Sequence, residues 1–149
     1  MTPLKNDLLY VCSLIEFVGR HTKNTNRTIA EKIGKDEVKR QIEVASLNHC
    51  LSFEQVGQEL IEDFEITSGT FDAVEACDYH VPGVVPIGSV YADLAVDIGR
   101  HDTREPHEIL YDILTSFISD EISNFNHGAY YENPSYIYQS YLAGELLPI

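Results

Sequence analysis

The feature that most constrains the fold is a run of apolar residues at helical spacing in the last third of the chain. Successive members lie one, three or four positions apart, which places them on one face of an α-helix. Pro106 suits the first turn of such a helix, so the pattern predicts one long amphipathic helix from Pro106 to Phe125. The run comprises Ile109, Leu110, Ile113, Leu114, Phe117, Ile118, Ile122 and Phe125. The five positions that we expect to be buried are Leu110, Ile113, Leu114, Phe117 and Ile118.

Helix signals also occupy most of the remaining chain. The segment from Asn6 to Thr22 is apolar on nearly all sides, which is typical of a helix at the centre of a domain. Ser52, with Gln55 three positions later, matches a capping box at a helix start. Further helices are predicted over residues 25–34, 36–47, 86–99 and 133–144, with an irregular connection over 66–84. Since no alternation typical of strands occurs, we expect an all-α fold, a single compact domain of about seven helices over residues 1–149.

Charge is distributed unevenly along the chain. The formal net charge is −14, of which residues 1–40 contribute +3 and residues 41–149 contribute −17. In the acidic part the only Lys or Arg residues are Arg100 and Arg104. A surface of this sign repels nucleic acids and anionic membranes and favours basic partners. The sequence therefore predicts a basic N-terminal part and an acidic remainder, with a basic protein as the preferred class of partner.

The cysteines and the first apolar segment indicate the compartment. Cys12, Cys50 and Cys77 are sparse and odd in number, which fits a reducing environment better than a disulfide framework. The apolar stretch 8–18 contains Glu16, is too short to span a bilayer and precedes no cleavage site of small residues. We expect a cytoplasmic protein that does not cross a membrane.

One alternative function, DNA-associated regulation, is suggested by the basic N-terminal part. Residues 28–34 resemble the first helix and turn of a helix-turn-helix, and residues 36–47 would then be the recognition helix. Against this, Asp36 and Glu37 would meet the phosphates first. The basic side chains that would contact DNA are Arg27, Lys32, Lys35, Lys39 and Arg40.

A second alternative is a small Cys/His-dependent hydrolase or metal protein. The residues His49, Cys50, Cys77 and His80 are of the types that form tetrahedral zinc sites or a Cys–His nucleophilic pair. Adjacent His49 and Cys50 would point about 100° apart on a helix, which opposes a shared site. A buried free cysteine is also a common small core residue. We therefore predict no cofactor and no metal site.

The leading prediction is a non-catalytic protein–protein interaction module. Residues 130–141 contain five tyrosines, and tyrosine is enriched at interfaces because it combines apolar area with a polar tip. The competing interpretation is that Tyr138 and Tyr141 pack beneath the last helix. The predicted partner-binding residues are Tyr130, Tyr131, Tyr136, Glu59, Glu62 and Asp63. No pattern in the sequence indicates an oligomeric state.

The chain also resembles an uncharacterised family of small bacterial proteins from gut Firmicutes and actinobacteria. The segments that carry the resemblance are residues 14–18, 22–24, 48–50, 69–72, 87–91, 118–126 and the tyrosine-rich tail. Together they span most of the chain, but none of them is a mechanistic motif. Members of this family are encoded beside genes for ADP-ribosyltransferase-like toxins. The resemblance therefore implies an antitoxin or an accessory protein of a toxin or defence operon.

Overall fold

The computed structural model of the protein describes residues 3–48, 50–72, 82–124 and 129–148. Within these ranges the chain forms seven α-helices and one short 3-10 helix and contains no strand. The prediction of an all-α fold is thereby confirmed. The elements are α1 (Pro3–Thr22), α2 (Asn26–Asn48), α3 (Phe53–Asp63), α4 (Val84–Gly99), α5 (Pro106–Leu114), α6 (Phe117–Ser123), the 3-10 helix η1 (Ala129–Tyr131) and α7 (Pro134–Ala143).

Helix α1 is the central element, as its all-round apolar sequence predicts. It packs against α2, α3 and α4, and its most extensive contact is with α4. The two helices approach closely at Gly88, where a Cβ atom would lie only 2.8 Å from the backbone nitrogen of Ser13. The side chains of α1 that are fully enclosed by these neighbours are Leu8, Val11, Cys12, Leu14, Ile15 and Val18. The burial of this apolar surface is the main stabilising term of the fold.

Helix α2 joins the two helices that the sequence predicts over residues 25–34 and 36–47. Gly34 alone has non-helical torsion angles, φ 83° and ψ 164°. This combination is essentially restricted to glycine, so the chain bends there without a loop. A helix-turn-helix joins its two helices by a turn of about three or four residues. In α2 a single glycine makes the bend, so the structure differs from the predicted motif.

The predicted single helix over residues 106–125 is wrong, because the chain leaves the helix at Thr115 and Ser116. The hydroxyl of Thr115 donates to the carbonyl of Tyr111, and that of Ser116 donates to the carbonyl of Ile113. Ser116 Oγ then accepts from the backbone N–H of Ile118 and caps α6. Serine and threonine compete for backbone groups in this way, and an apolar pattern does not reveal it.

The break at Thr115 also changes the predicted core. Of the five expected core positions four are fully buried, but Phe117 is only half-buried, at the first turn of α6. Its ring packs against the edge of the core. The eighth and last member of the predicted apolar run, Phe125, lies outside the described residues.

Most other helix ends follow their sequence signals. Ser52 Oγ accepts from the backbone N–H of Gln55 at the start of α3. Asn133 caps α7, and the left-handed Gly144 ends it. Helix α4 differs slightly, because it begins two residues before Pro86. In the part of the chain that is described, no helix combines the length and the apolarity needed to cross a membrane.

Candidate functional site

The predicted tyrosine site separates into packed and exposed rings. Tyr130 and Tyr136 are half-buried against the core, and the hydroxyl of Tyr136 donates to the carbonyl of Leu147 at 2.7 Å. Burial raises the pKa of Tyr130 above its ordinary value. Tyr131 stacks edge-to-face on Tyr130, with ring centroids 5.0 Å apart, and is itself 59% exposed. Tyr131 is thus the predicted tyrosine whose ring is mainly available to a partner.

The three predicted acidic residues lie on the outer face of α3. Its inner face packs on α1 through the buried Val56 and Leu60, while Glu59, Glu62 and Asp63 are exposed. None of the three forms an ion pair with a described residue. The face therefore presents a concentration of negative charge.

Exposed leucines stand where α2 turns into α3. Leu47 is 74% exposed, and Leu51 is also exposed. Tyr10 lies between the leucines and the acidic face. Its hydroxyl donates to the carbonyl of Asn48 at 3.3 Å. Burial raises the pKa of Tyr10, and the negative charge of Glu59 raises it further. We call the surface formed by Leu47, Leu51, Glu59, Glu62 and Asp63 the α3 corner.

Three of the basic side chains predicted for DNA binding are held by contacts within the protein. Arg27 forms two hydrogen bonds with Asp120, at 2.6 and 3.2 Å, and a third with the carbonyl of Thr115.

Arg40 contacts both carboxylate oxygens of Glu37, and Lys35 lies 5.7 Å from the ring centre of Tyr111. Lys32 and Lys39 are exposed on α2. The basic part of the sequence is therefore partly neutralised in space, which leaves a weaker positive surface than the sequence suggests.

The four residues considered for metal or nucleophilic chemistry are not brought together by anything that the structure describes. Cys50 is exposed, whereas His49, Cys77 and His80 lie outside the described residues. Among the residues that are placed, no group of three or more His, Cys, Asp or Glu side chains could hold a metal ion.

A buried polar network at the centre of the fold was not predicted. Glu16 is only 5% exposed, although it lies on the most apolar helix. One carboxylate oxygen accepts from Nδ2 of Asn26 at 2.9 Å, and the other accepts from Nε of Arg20 at 2.9 Å. Asn26 also donates to the hydroxyl of the fully buried Tyr91, which in turn is within hydrogen-bond distance of Ser119. The available signal was that Glu16 is the only charged residue within the apolar stretch 8–18.

Among the described residues, the network forms a structural centre with little free space beside it. Burial raises the pKa of Tyr91 to about 12, so its hydroxyl stays protonated at neutral pH. The cavity beside Glu16 and Arg20 has a volume of about 10 Å³. This is space for roughly one water molecule. The network joins α1, α2, α4 and α6 through groups that satisfy one another, which fixes how these helices are arranged.

Comparison of the chain with models of protein families, with curated proteins and with solved structures finds no match. The features of the molecule that bear on its function are therefore its charges, its exposed apolar groups and its cavities.

Proposed function

We propose that the protein is a non-catalytic binding module whose α3 corner contacts a basic protein partner. The observation that carries the proposal is the 74% exposure of Leu47 at the end of α2 that leads into α3. The outer carboxylates of α3 form no ion pair with a described residue, although Arg40 is close enough to interact electrostatically with Glu59 and Asp63. A single exposed leucine is ordinary on a protein surface. Exposed leucines that lead into a helix face of mainly negative charge are the elements of an interface, namely an apolar centre and a charged rim.

The two parts of the α3 corner would serve different steps of binding. The carboxylates of Glu59, Glu62 and Asp63 attract a basic partner over a distance and raise the association rate. Leu47 and Leu51 lose contact with water only in the complex, so they slow dissociation. Tyr131 is a further proposed contact, since its exposed ring supplies apolar area at low entropic cost. Tyr130 and Tyr136 support that region from within.

The resemblance in sequence suggests the biological role that we propose for this binding module. A small acidic module encoded beside a toxin would act as its antitoxin or accessory protein in the cytoplasm. The net charge of −14 supports the proposal, because an acidic surface selects basic partners by sign.

The test is affinity capture from a bacterial host that encodes the protein, followed by binding kinetics with the purified partner. The variant is the triple reversal Glu59→Lys, Glu62→Lys and Asp63→Lys. A matched control, Glu31→Lys, Asp36→Lys and Glu145→Lys, changes the net charge equally at exposed positions elsewhere. We expect the first variant to slow association at least about tenfold and to weaken its salt dependence, and the control to act much less.

A second variant examines the apolar part of the α3 corner. Leu47→Ala should mainly accelerate dissociation, by a factor that corresponds to roughly 1–2 kcal/mol. Equal effects of the two triple variants, with no effect of Leu47→Ala, would contradict the proposed interface.

DNA binding with a steep salt dependence that is lost in Lys32→Gln and Lys39→Gln would favour the alternative function of a DNA-associated regulator. Turnover of a substrate that is abolished by His49→Ala or Cys50→Ala would favour an enzyme.

A further inference from the structure

An apolar cavity opens between the start of α1, the end of α4 and the start of α5. Its volume is about 260 Å³, far larger than the space beside Glu16. Leu8 and Ile109 form its inner wall, and both are fully enclosed by the core. Leu4, which is 41% exposed, stands at the opening. The cavity thus reaches from solvent to the edge of the core.

The positive charges at this cavity are the feature that points to a ligand. Arg100 and Arg104 are the only Lys or Arg residues among residues 41–149, and both line it. Arg104 is held by Asp102 through two of its nitrogens. Arg100 contacts Asp97 through Nη1 alone, at 2.6 Å, and its side chain is 65% exposed.

An exposed ion pair of this kind contributes little to stability, because water screens it. The guanidinium of Arg100 can therefore rotate toward a ligand carboxylate at small cost, or it can contact that carboxylate and Asp97 together. Helix α5 also begins at this cavity, since its first residue, Pro106, lines it. Glu105 at the N-cap and Glu108 in the first turn offset the partial positive charge of this helix start, so the attraction for an anion comes from Arg100.

We propose that this cavity binds a small carboxylate with an unbranched apolar chain, with the chain inside and the carboxylate on Arg100. At the packing density of protein interiors, about 0.74, the cavity accommodates a chain of roughly eight carbons. The apolar wall supplies affinity, and the arginine supplies the preference for an anion over a neutral molecule of the same shape. This site is separate from the α3 corner and does not depend on the proposed function.

The experiment compares octanoate with 1-octanol by isothermal titration calorimetry on the full chain. We expect saturable binding of octanoate in the micromolar to low millimolar range and at least about tenfold weaker binding of octanol. Arg100→Gln should weaken octanoate at least about tenfold and leave octanol unchanged. The matched control is Arg40→Gln, which removes an exposed arginine from a pair of the same spacing on α2 and should leave both ligands unchanged.

A third variant blocks the cavity without disturbing the core. Gly99 lines the cavity, and the nearest atom to a Cβ built there is Cδ1 of Ile109 at 3.9 Å. A Cβ therefore fits at Gly99, and the larger side chain of Gly99→Leu should extend into the cavity and abolish binding of both ligands, with circular dichroism checking the fold.

Absence of saturable binding at about 5 mM octanoate would overturn the proposal. So would equal binding of octanoate and octanol, or binding that survives Gly99→Leu. Sedimentation that shows a dimer dispersed by Gly99→Leu would also overturn it, because the cavity would then be the contact between two copies of the chain.

Discussion

Asn26 and Tyr91 are 65 positions apart in the chain, and Nδ2 of Asn26 lies 3.2 Å from the hydroxyl oxygen of Tyr91 inside the protein. The same amide nitrogen donates to Glu16 at 2.9 Å. One asparagine therefore satisfies a buried carboxylate on α1 and a buried hydroxyl on α4. Buried polar groups with partners of this kind specify one arrangement of the helices, because any other arrangement leaves them unpaired.

Removal of the Tyr91 hydroxyl should destabilise the fold. Tyr91→Phe keeps the ring in place but takes a donor from Ser119 and an acceptor from Asn26, which should lower the free energy of unfolding by about 1–3 kcal/mol. Urea denaturation measures the change. Tyr131→Phe is the matched control, since that ring is exposed, and should stay within about 0.5 kcal/mol of the parent. Equal stabilities of the two variants would show that the network does not stabilise the fold.

Substitution of two helical glycines by alanine should have opposite effects. Gly88→Ala places a Cβ 3.1 Å from Cα of Ser13 and 2.8 Å from its backbone nitrogen, so α1 and α4 must move apart. We expect a loss of about 1–3 kcal/mol in the free energy of unfolding. Gly99→Ala meets nothing closer than 3.9 Å and should stabilise by roughly 0.5–1 kcal/mol, since alanine favours the helix. Thermal unfolding compares them, and similar midpoints would contradict the close approach at Gly88.

Truncation in the interrupted apolar stripe should report the break between α5 and α6. Ile113 is fully buried, so Ile113→Ala should lower the free energy of unfolding by about 2–5 kcal/mol. Phe117 is half-buried, and Phe117→Ala should remove less than the roughly 3–5 kcal/mol expected of an enclosed aromatic ring. Denaturant titration of both variants checks this order. A larger loss for Phe117→Ala would indicate the continuous helix that the sequence predicts.

The stability should fall in alkaline solution because of Cys12. Its thiol is fully buried, and burial raises its pKa far above the ordinary value. The unfolded chain ionises this thiol near pH 8.5 or about 9, whereas the folded chain keeps the proton. The stability is therefore present below that range and is lost progressively as the pH rises above it. Urea titrations between pH 8 and about pH 10 should show a flatter dependence for Cys12→Ala. An identical slope in both proteins would show that the thiol ionises while the protein is folded.

The sequence predicted the features that depend on neighbouring residues. The cap of Ser52, the start of α7 at Pro134 and its end at Gly144 all use groups within a few positions of one another. The sequence did not predict the break at Thr115, because the apolar stripe continues through this position. The hydroxyl group of Thr115 donates to the carbonyl of Tyr111, and hydrophobic periodicity carries no information about such hydrogen bonds.

Features that join distant parts of the chain were not predicted. Arg27 contacts Asp120, which lies 93 positions away in the sequence. Because this pair joins the basic N-terminal part to the acidic remainder, the two kinds of charge are less separated on the surface than along the sequence. Glu16 was noticed as a charge in an apolar segment, but its partners at Asn26 and Arg20 could not be assigned before the fold was known. The cavity at Arg100 is formed by three helix ends and leaves no local pattern.

The bend at Gly34 bears on the order in which the protein assembles. The segment 26–33 has about two helical turns, fewer than the roughly 12–15 residues that an isolated helix needs in water. We expect that this segment does not nucleate folding by itself and that it becomes helical as Ile29 and Ile33, which are enclosed in the folded protein, pack against neighbouring helices. A comparison of folding and unfolding rates for Ile29→Val would show whether this docking precedes or follows the transition state. Gly34 thus divides α2 into two parts. Residues 26–33 need neighbouring helices in order to be helical, whereas residues 35–48 form a segment of nearly twice that length.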